Sequence, residues 1–595
     1  MTKEFRDLFT AIGKISLILN RQQKRTYVLS FFFMMVSSVL ELFALGALVP
    51  FFGIIASPSL LQHSSWGNWV LTHTHNASFA VVILVSGMII FFLFVGKNIV
   101  GYLLYAHESR FVYSVATDIS RRKVREYYSM NFLDFQKSNT AEMLQKTAYV
   151  PIEFAHHVVL GSMTLLSEAT ILIVFIFALL LYRAVVFLLI ACTLLPLAVV
   201  AWYLSARVLR RTKKTVQEMS SLNLNRLADA LSGYQEIRLY GKEEYFVERY
   251  VSGQRDLNIQ LGKLNTANII PGRLSEIFAV AGILLLLFFD SILEGSFTPS
   301  ALSLLTVYVA FAYRAVPSIN KILSALVHLN TYSFTVDVIP AATVGEEPAS
   351  HSGIRAEKTP FRFHKDIEFR KISFFYPERN ELVLNNVSFI LHKGETIGLV
   401  GRSGLGKTTF VRIFMQLLKQ TSGTILVDGK ILGEEDLLPW QRLFSYVTQE
   451  PVILADSIEA NVTYGIPRQN GDKERLNGAL QRSGLSEFVA GLPDGVRTHV
   501  GDQGKQLSGG QKQRLMIARA LYRNAEIIVF DEATSQLDTE TEQDFLETIS
   551  LLQGDGKTIL IISQKEQTLT MCSAVYTLAH GTIRLRPGIK TNRRR

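Results

Sequence analysis

Residues 401–408 form a glycine-rich run that ends in a lysine and a threonine, and these residue types suit a triphosphate. The run reads Gly401-Arg402-Ser403-Gly404-Leu405-Gly406-Lys407-Thr408 and follows the short apolar segment Thr396–Val400. Glycines let backbone N–H groups close around a phosphate, the lysine reaches the β- and γ-phosphates, and the threonine hydroxyl binds Mg²⁺. The spacing therefore predicts a strand, a phosphate-binding loop and a helix that begins at Lys407.

An acidic pair follows a second short apolar segment. Ile527–Phe530 has the length and composition of a buried strand, and Asp531 and Glu532 come directly after it. Asp531 is predicted to bind Mg²⁺ through water, and Glu532 to orient or deprotonate the attacking water. Such pairs are common after apolar runs, but the continuation Ala533–Asp538, which reads ATSQLD, makes this interpretation specific.

A third motif, LSGGQ at Leu507–Gln511, lies between these two. In this order the three motifs resemble the ATP-binding cassette family, in which two such domains work as a dimer. The resemblance implies ATP and Mg²⁺ as cofactors, places LSGGQ against the γ-phosphate bound by the partner, and makes Asp538 cross the dimer interface. The residues it assigns to nucleotide binding are Tyr376, Gly401, Ser403, Gly404, Gly406, Lys407, Thr408, Thr409, Ser508, Gly509, Gly510 and Gln511.

The resemblance also assigns two residues outside those motifs. Tyr376, in Phe374–Pro377, occupies the place where the family stacks an aromatic ring on adenine; the alternative is a core tyrosine at the end of a strand. Gln449, in Tyr446–Gln449, matches the glutamine that meets Mg²⁺ and couples the nucleotide to the membrane helices. The implied metal ligands are Thr408, Gln449 and Asp531, and the implied catalytic residues are Glu532, Gln449 and Gln564.

Gln564 is a departure from the family pattern. It follows the apolar pair Ile561-Ile562, where the family usually has the histidine that contacts the γ-phosphate. A glutamine still donates a hydrogen bond, but it carries neither a proton for transfer nor a positive charge. Either hydrolysis is slower, or the site relies more on Glu532. Degenerate sites occur in subunits that pair with a different partner, but the intact Glu532 and LSGGQ favour a homodimer.

Composition indicates a membrane protein. The chain has 595 residues, of which 48% are hydrophobic and 19% charged, and its net charge is +10. Such a charge suits nucleic acid binding or cytoplasmic loops of a membrane protein, and long apolar stretches favour the second. The two cysteines, Cys192 and Cys572, exclude a disulfide framework and are expected to be packing residues. The charged start, Lys3–Arg25, does not resemble a cleavable signal.

Six apolar stretches precede residue 340, and most reach the ~20 residues that a membrane-spanning helix needs. The loops and ends between them alternate in charge, with Lys and Arg concentrated in 1–26, 97–158 and 207–265. Positive-inside bias therefore predicts that both termini and both long loops lie in the cytoplasm. The family resemblance described below implies that the membrane is the cell's inner (plasma) membrane. The stretches are 27–55, 78–96, 159–182, 184–206, 268–293 and 299–317.

Each long loop is amphipathic and suits two helices that continue from the membrane, with turns near 131–138 and 231–238. Residues 59–71 suit either a short interfacial helix or an ordinary loop with two interfacial tryptophans. Beyond a polar linker, short apolar runs alternate with helical segments, as an α/β domain requires. The predicted fold class is a membrane all-α domain at 1–340, a linker at 341–366, and an α/β P-loop ATPase domain at 367–595.

This organisation resembles the half-transporters of the type IV exporter fold, and the two turns match that family's coupling helices. Within the group, three stretches are similar to the lipid-linked oligosaccharide flippases of bacterial protein glycosylation. These are Glu41–Ala44 with Val49–Phe51 after it, Ser167-Glu168 and, above all, Tyr313–Asn320. The resemblance implies that a lipid-linked substrate is moved outward.

Charged residues in or against membrane segments give an independent indication. A buried charge is costly unless it is paired or faces water, and Glu41, Glu168 and Glu276 are three such residues. Lys97, Arg273 and Arg314 lie ~22–30 Å along their helices from the outer end, and so toward the cytoplasmic leaflet. They are candidates for binding a phosphate or pyrophosphate headgroup; the alternative is that each reaches out to the inner headgroups of the bilayer.

The sequence thus predicts an ATP-driven exporter or flippase that moves an amphipathic, anionic lipid-linked substrate from the inner to the outer leaflet. Its predicted partners are a second half-transporter and membrane lipids, with no nucleic acid. A peptide or drug exporter remains an alternative, as does a weakly active or regulatory subunit of a heterodimeric transporter.

Overall fold

The computed structural model describes residues 13–48, 51, 55, 79–182, 196, 200, 203, 216, 219–294, 299–340, 361, 363–379, 381–466, 471–533 and 539–587. Residues 59–71, Cys192, most of the stretch 184–206 and Asp538 lie outside this described part. The chain divides into two units. The first comprises Met1–Met130 and Lys137–Ser352, and the second comprises Asn131–Gln136 and Gly353–Arg595.

The first unit is helical, and its long helices contain five of the six predicted apolar stretches, in whole or in part. The helices of residues 21–338 are α1 (Arg21–Gly46), α2 (Phe79–Ser129), α3 (Phe132–Lys137, most of which belongs to the second unit), α4 (Thr140–Leu144), α5 (Val150–Glu153), α6 (Leu160–Tyr182), α7 (Tyr234–Leu239), α8 (Glu243–Glu294), α9 (Pro299–Thr331) and α10 (Thr335–Val338), with π-helical turns at Gln145–Tyr149 and Phe154–Val159. Residues 219–232 are also helical.

Two helical segments of the described chain, Ala80–Ser129 and Thr140–Phe177, are long and apolar enough to cross a membrane, with mean hydropathies of 2.5 and 2.0. Large apolar side chains such as Phe91, Phe92 and Leu284 are more than half exposed on their helices. Such an exposed apolar surface is unfavourable in water but favourable in the hydrocarbon core of a membrane.

The core of the first unit lies where α2, the π-helical turns and α9 meet. Val112, Phe154 and Leu329 are completely buried there. Ile15 and Ile18, from the short helix at 13–18, pack into the same cluster. The helix α6 packs against α1 and α9, and α8 packs against α9.

The second unit is built on two sheets. The strands in the described part of this unit are β1 (Asp366–Phe374), β2 (Leu384–His392), β3 (Thr396–Val400), β4 (Ser422–Val427), β5 (Lys430–Ile431), β6 (Phe444–Val447), β7 (Ile527–Asp531), β8 (Thr558–Ile562), β9 (Ala574–Ala579) and β10 (Thr582–Leu585). The antiparallel sheet has the order β2-β1-β4-β5, and the six-stranded sheet has the order β10-β9-β3-β8-β7-β6. All the pairs of the larger sheet are parallel except β10 with β9.

Strands β3, β7 and β8 are buried almost throughout, which explains their continuous apolar sequences. The helices of this unit are α11 (Lys407–Phe414), α12 (Leu437–Arg442), α13 (Ile458–Thr463), α14 (Lys473–Arg482), α15 (Ser486–Ala490), α16 (Gly509–Arg523), α17 (Thr539–Gly554) and α18 (Glu566–Leu569). Two core clusters fill the unit: α11 contributes to the one that contains Trp440, and α16 to the one that contains Phe545.

The short helix α3 belongs to the second unit, although the sequence places it within residues 1–340. Phe132 and Leu133 pack against the core cluster of Trp440, and the guanidinium of Arg412 lies 5.0 Å from the centre of the Phe132 ring. The packing of this apolar pair into the core explains why 131–136 group with the second unit.

Candidate functional sites

Four neighbouring parallel strands bring the predicted ATP-site residues to one edge of the larger sheet. The order is β3, β8, β7 and β6, and the phosphate loop, Gln564, Glu532 and Gln449 follow their respective carboxyl ends. In open α/β sheets this edge is where ligands bind.

The geometry of the phosphate loop requires its glycines. A Cβ at Gly401 would lie 2.7 Å from the carbonyl oxygen of Leu578. Gly406 has a φ of 98°, and a Cβ there would lie 2.8 Å from a methyl carbon of Val383. Gly404 likewise has a positive φ, of 81°. Gly406 caps α11 without any side-chain hydrogen bond, so the backbone N–H groups of that helix start suit an anion.

Lys407 connects the phosphate loop to the acidic pair. Its side chain is 7% exposed, and its ammonium donates to the carbonyl oxygens of Gly401 at 2.7 Å and Arg402 at 3.5 Å. The same nitrogen lies 3.4 Å from a carboxylate oxygen of Glu532. A buried ammonium held in this way is positioned to meet a phosphate over the loop.

The hydroxyl residues next to Lys407 differ in exposure. Ser403 and Thr408 are exposed, whereas Thr409 is buried and its hydroxyl is 3.0 Å from that of Tyr376. The ring of Tyr376 is half-buried and stands edge-on to Phe374, with ring centres 5.0 Å apart. Tyr376 is therefore anchored to the core beside α11 and still exposes part of its ring.

Asp531 has a partner to which the sequence analysis assigned no role. The phenol of Tyr446, on β6, donates a hydrogen bond of 2.8 Å to Oδ2 of Asp531. Burial raises the pKa of the Asp531 carboxyl, and this hydrogen bond opposes the rise. Burial and the adjacent Asp531 carboxylate raise the pKa of Tyr446. The signal in the sequence was a tyrosine on a short buried strand, since a buried phenol needs a hydrogen-bond partner.

Glu532 is held by the backbone and by two side chains. Its φ is 50°, an uncommon value outside glycine, and its N–H donates to the carbonyl oxygen of Ile562 on β8 at 3.0 Å. Gln564 donates from Nε2 to Oε1 of Glu532 at 3.4 Å, the same oxygen that faces Lys407. Gln564 and Gln449 are both exposed at this edge.

The LSGGQ residues form the start of α16. Ser508 accepts a hydrogen bond from the N–H of Gln511 at 3.2 Å, and the Gln511 side chain accepts one from the N–H of Ser508 at 2.9 Å. This capping box fixes the helix start, while Ser508 and Gly509 stay exposed. The positive end of the helix dipole thus points out of this unit, an orientation that suits contact with an anion.

A second candidate site is an ionic cluster in the first unit. Arg314 on α9 lies 2.8 Å from Glu41 on α1 and 3.2 Å from Glu168 on α6. Lys97 on α2 lies 3.6 Å from the other oxygen of Glu41. Lys321 on α9 completes the cluster, 2.7 Å from Glu168. Two of the three predicted cations, Lys97 and Arg314, therefore meet on one carboxylate.

The third cation, Arg273, is not brought to this cluster. Its ion pair is with Glu276 on the same helix α8, at 3.6 Å, and its side chain is 74% exposed. The sequence missed Ser318 and Lys321 as members of the cluster, although both lie on the face of α9 that Arg314 occupies, four and seven residues farther on.

Comparisons with known proteins agree with this architecture. The profile of the ABC transporter family matches residues 384–535. The fold is similar to that of a bacterial Atm1-family ABC exporter solved with ATP bound, with a TM-score of 0.72 and 19% sequence identity over 95% of each chain. This chain is an ABC exporter half-transporter. It is an ATPase whose hydrolysis is coupled to transport, and it binds ATP.

Curated relatives of this ABC exporter are named ATP-dependent lipid A-core flippases. The relative from Xanthomonas campestris is 29% identical over 83% of this chain and 82% of its own length. The relative from Burkholderia orbicola is 27% identical over 81% and 79%. The relative from Cupriavidus pinatubonensis is 30% identical over 66% of each chain. An ABC exporter of this kind is a membrane protein that works as a dimer.

Proposed function

We propose that this ABC exporter is a flippase of the inner membrane that moves an anionic, lipid-linked substrate from the inner to the outer leaflet. The observation that carries the proposal is the ionic cluster, in which Lys97 and Arg314 converge within the helical unit. Ionisable side chains within membrane helices are rare and, even when they are paired with one another, commonly mark the path of a substrate or ion. The names of the relatives support a lipid as cargo, and a lipid-linked oligosaccharide is the specific form we propose.

The domain assignment is part of this proposal. Residues 1–340 would form the transmembrane domain, 341–366 the linker and 367–595 the nucleotide-binding domain. The segments 131–138 and 231–238 would be the coupling helices. The packing of Phe132 and Leu133 against the core of the second unit supports the first of these.

At the ATP site, the backbone of the phosphate loop and Lys407 would hold the β- and γ-phosphates, and Tyr376 would contact adenine. Asp531, Thr408 and Gln449 offer a carboxylate, a hydroxyl and an amide oxygen for Mg²⁺. One carboxylate is sufficient, because Mg²⁺ in such sites takes its other ligands from water and phosphate. The described residues contain no cluster of three or more His, Cys, Asp or Glu that would suggest a different metal. Bound Mg²⁺ would supply charge neutralisation on the phosphates.

Glu532 would orient and deprotonate the attacking water, while Lys407 faces the phosphates. Gln564 would hold Glu532 in place by its hydrogen bond. The LSGGQ start of α16 would complete the site of a second copy, so that the working unit is a homodimer. Each copy carries Glu532, which contacts both Lys407 and Gln564. This arrangement supports an active site in each copy.

The test is ATPase activity in vesicles of phosphatidylcholine that contain the purified full-length protein. A polyprenyl diphosphate lipid, a neutral polyprenol, a cationic drug and a peptide would each be titrated. Stimulation by the diphosphate lipid is expected, together with its ATP-dependent transfer out of the leaflet that the ATPase domain faces and into the opposite leaflet. Stimulation by the drug or the peptide alone would overturn the flippase proposal in favour of a drug or peptide exporter. Turnover only when a second, different subunit is added would overturn the homodimer.

A further inference from the structure

The ionic cluster in the helical unit joins five charged side chains from four helices. Glu41, Lys97 and Glu168 come from α1, α2 and α6, while Arg314 and Lys321 come from α9. Three cations and two carboxylates give the five a net charge of +1. The side chain of Lys321 is 56% exposed, whereas those of the other four are 29% exposed or less. Buried charges stabilise one another only when they are closely paired.

The two carboxylates are held differently. Glu168 is 6% exposed, and its oxygens accept hydrogen bonds from Ser318 at 2.6 Å and Lys321 at 2.7 Å in addition to the contact with Arg314. Ser318 in turn accepts a hydrogen bond from Nη1 of Arg314 at 2.7 Å. Glu168 is thus a fixed counter-ion, built into the packing of α6 against α9.

Glu41 is held only by ion pairs in the described part of the chain, and its side chain is 29% exposed. One of its oxygens lies 2.8 Å from Nη2 of Arg314 and the other lies 3.6 Å from Nζ of Lys97. It therefore covers Arg314, whose side chain is only 8% exposed. Nε of Arg314 is buried and has no hydrogen-bond partner among the described residues.

We propose that Glu41 is an exchangeable counter-ion, which occupies the anion site of Lys97 and Arg314 and leaves it when the phosphate group of a lipid headgroup binds. This inference rests on the proposed flippase function and deepens it, because it names the group that the substrate must displace. Carboxylate and phosphate oxygens both match the fork of a guanidinium, so one can replace the other on Arg314.

The charge balance favours this exchange. Without Glu41 the remaining four side chains, three cations and one carboxylate, carry +2. A phosphate group that carries ~−1.5 to −2 neutralises that charge. Between substrates, Glu41 prevents Arg314 from being left partly uncompensated in a buried site, a situation that is strongly destabilising. The same carboxylate lowers the apparent affinity for the substrate, because the open site is only a fraction of the population.

The test is the concentration of polyprenyl diphosphate that half-maximally stimulates ATPase, in phosphatidylcholine vesicles, relative to each variant's own rate without lipid. In Glu41→Gln that concentration is expected to fall by about 3- to 10-fold, since the lipid no longer competes with a charge-assisted contact. Glu41→Asp retains the charge but shortens the reach to Lys97, so a smaller fall is expected. It also provides the test if Glu41→Gln does not fold.

Two further variants separate exchange from a purely structural role. Glu168→Gln is expected to raise the half-maximal concentration or to lower thermal stability, since it removes the fixed partner of Ser318 and Lys321. Glu142→Gln removes a surface carboxylate that pairs with Lys146 at 2.6 Å, and it should behave as the wild type does. Inorganic pyrophosphate, titrated alone, distinguishes a lipid headgroup from free phosphate: stimulation by it at the lipid's concentrations would overturn the lipid as the source of the anion.

An unchanged or raised half-maximal concentration in both Glu41 variants, with wild-type stimulation intact, would overturn the exchange while leaving the flippase proposal standing. A wild-type protein that no diphosphate lipid stimulates would instead overturn the proposed function itself.

Discussion

Gln564 donates a hydrogen bond to Glu532, with 3.4 Å between Nε2 and Oε1, and the ammonium of Lys407 lies 3.4 Å from the same oxygen. The glutamine that replaces the family's usual histidine is thus directed at the candidate catalytic carboxylate. An amide can orient that carboxylate, but it cannot accept its proton. The contact links the two residues on which the predicted hydrolysis chemistry depends.

Replacement of Glu532 by Gln should abolish steady-state ATP hydrolysis and trap ATP. The side chain keeps its size but can no longer act as a base. Because general-base catalysis typically contributes about 100-fold or more, turnover should fall by at least that factor. The measurement is phosphate release by the purified protein, together with retention of radiolabelled ATP through gel filtration. Turnover at the wild-type rate would show that another group activates the water.

Replacement of Gln564 by His should leave ATP affinity unchanged and keep or raise turnover. A histidine can both donate to Glu532 and carry a proton or a positive charge near the γ-phosphate. Gln564→Ala is the matched variant, which removes the hydrogen bond to Glu532 and should lower turnover. A large loss of activity in the histidine variant would show that the site depends on the amide at this position.

Replacement of Tyr446 by Phe should raise the Mg²⁺ concentration required for half-maximal ATPase activity by about 10-fold, the low end of the effect of losing one hydrogen bond to a charged group. The phenol fixes the orientation of the Asp531 carboxylate, and the variant retains the buried ring. Binding of a fluorescent ATP analogue in EDTA serves as the control and should not change. Equal Mg²⁺ dependence in both proteins would show that Tyr446 only packs.

The arrangement of the predicted ATP-site residues follows from chain topology. Parallel apolar strands place whatever follows them at one edge of a sheet, so the phosphate loop, Glu532 and Gln564 had to converge once β3, β7 and β8 were recognised. A tyrosine on a buried strand indicates that some hydrogen-bond partner is needed, but the partner of Tyr446 was missed because it depends on the pairing of β6 with β7.

The ionic cluster was predictable only in part. Depth along each helix placed Lys97, Arg273 and Arg314 in one layer, but depth does not determine which way a helix turns its side chains. In the structure, Arg314 and Lys97 form ion pairs with Glu41, whereas Arg273 pairs with Glu276 on its own helix. The orientation of each helix about its axis decides between these results. Which charged side chains meet depends on how four helices pack together, and the sequence of any one helix does not determine that packing.

Cys572 should resist thiol reagents in the folded protein. It is 1% exposed, and burial raises the pKa of its thiol to about 12, so thiolate is scarce at neutral pH. With Cys192 replaced by Ser, only Cys572 remains. Labelling by a maleimide should then be slow in buffer and fast in guanidinium. Rapid labelling in buffer would contradict the packing of this thiol beside β3.

Replacement of Arg314 by Gln should lower stimulation by polyprenyl diphosphate at least ~10-fold, since a charge-assisted contact with phosphate is worth about 1.5–3 kcal/mol. Loss of Arg314 also leaves Glu41 and Glu168 partly uncompensated, which could by itself destabilise the helices. The double variant Glu41→Gln with Arg314→Gln separates these causes, because it removes one charge of each sign and keeps the cluster at +1.

If Arg314 binds the headgroup, the double variant should recover thermal stability but not stimulation by the lipid. If Arg314 is only a structural ion, the double variant should recover both. Lys146→Gln, which breaks an exposed pair with Glu142, controls for the loss of a surface cation and should match the wild type. The double variant Arg273→Gln with Arg314→Gln then tests whether Arg273, exposed on α8, contributes to the same site. A further fall in stimulation, relative to Arg314→Gln alone, would place Arg273 in the site. An unchanged value would confine the site to Lys97 and Arg314.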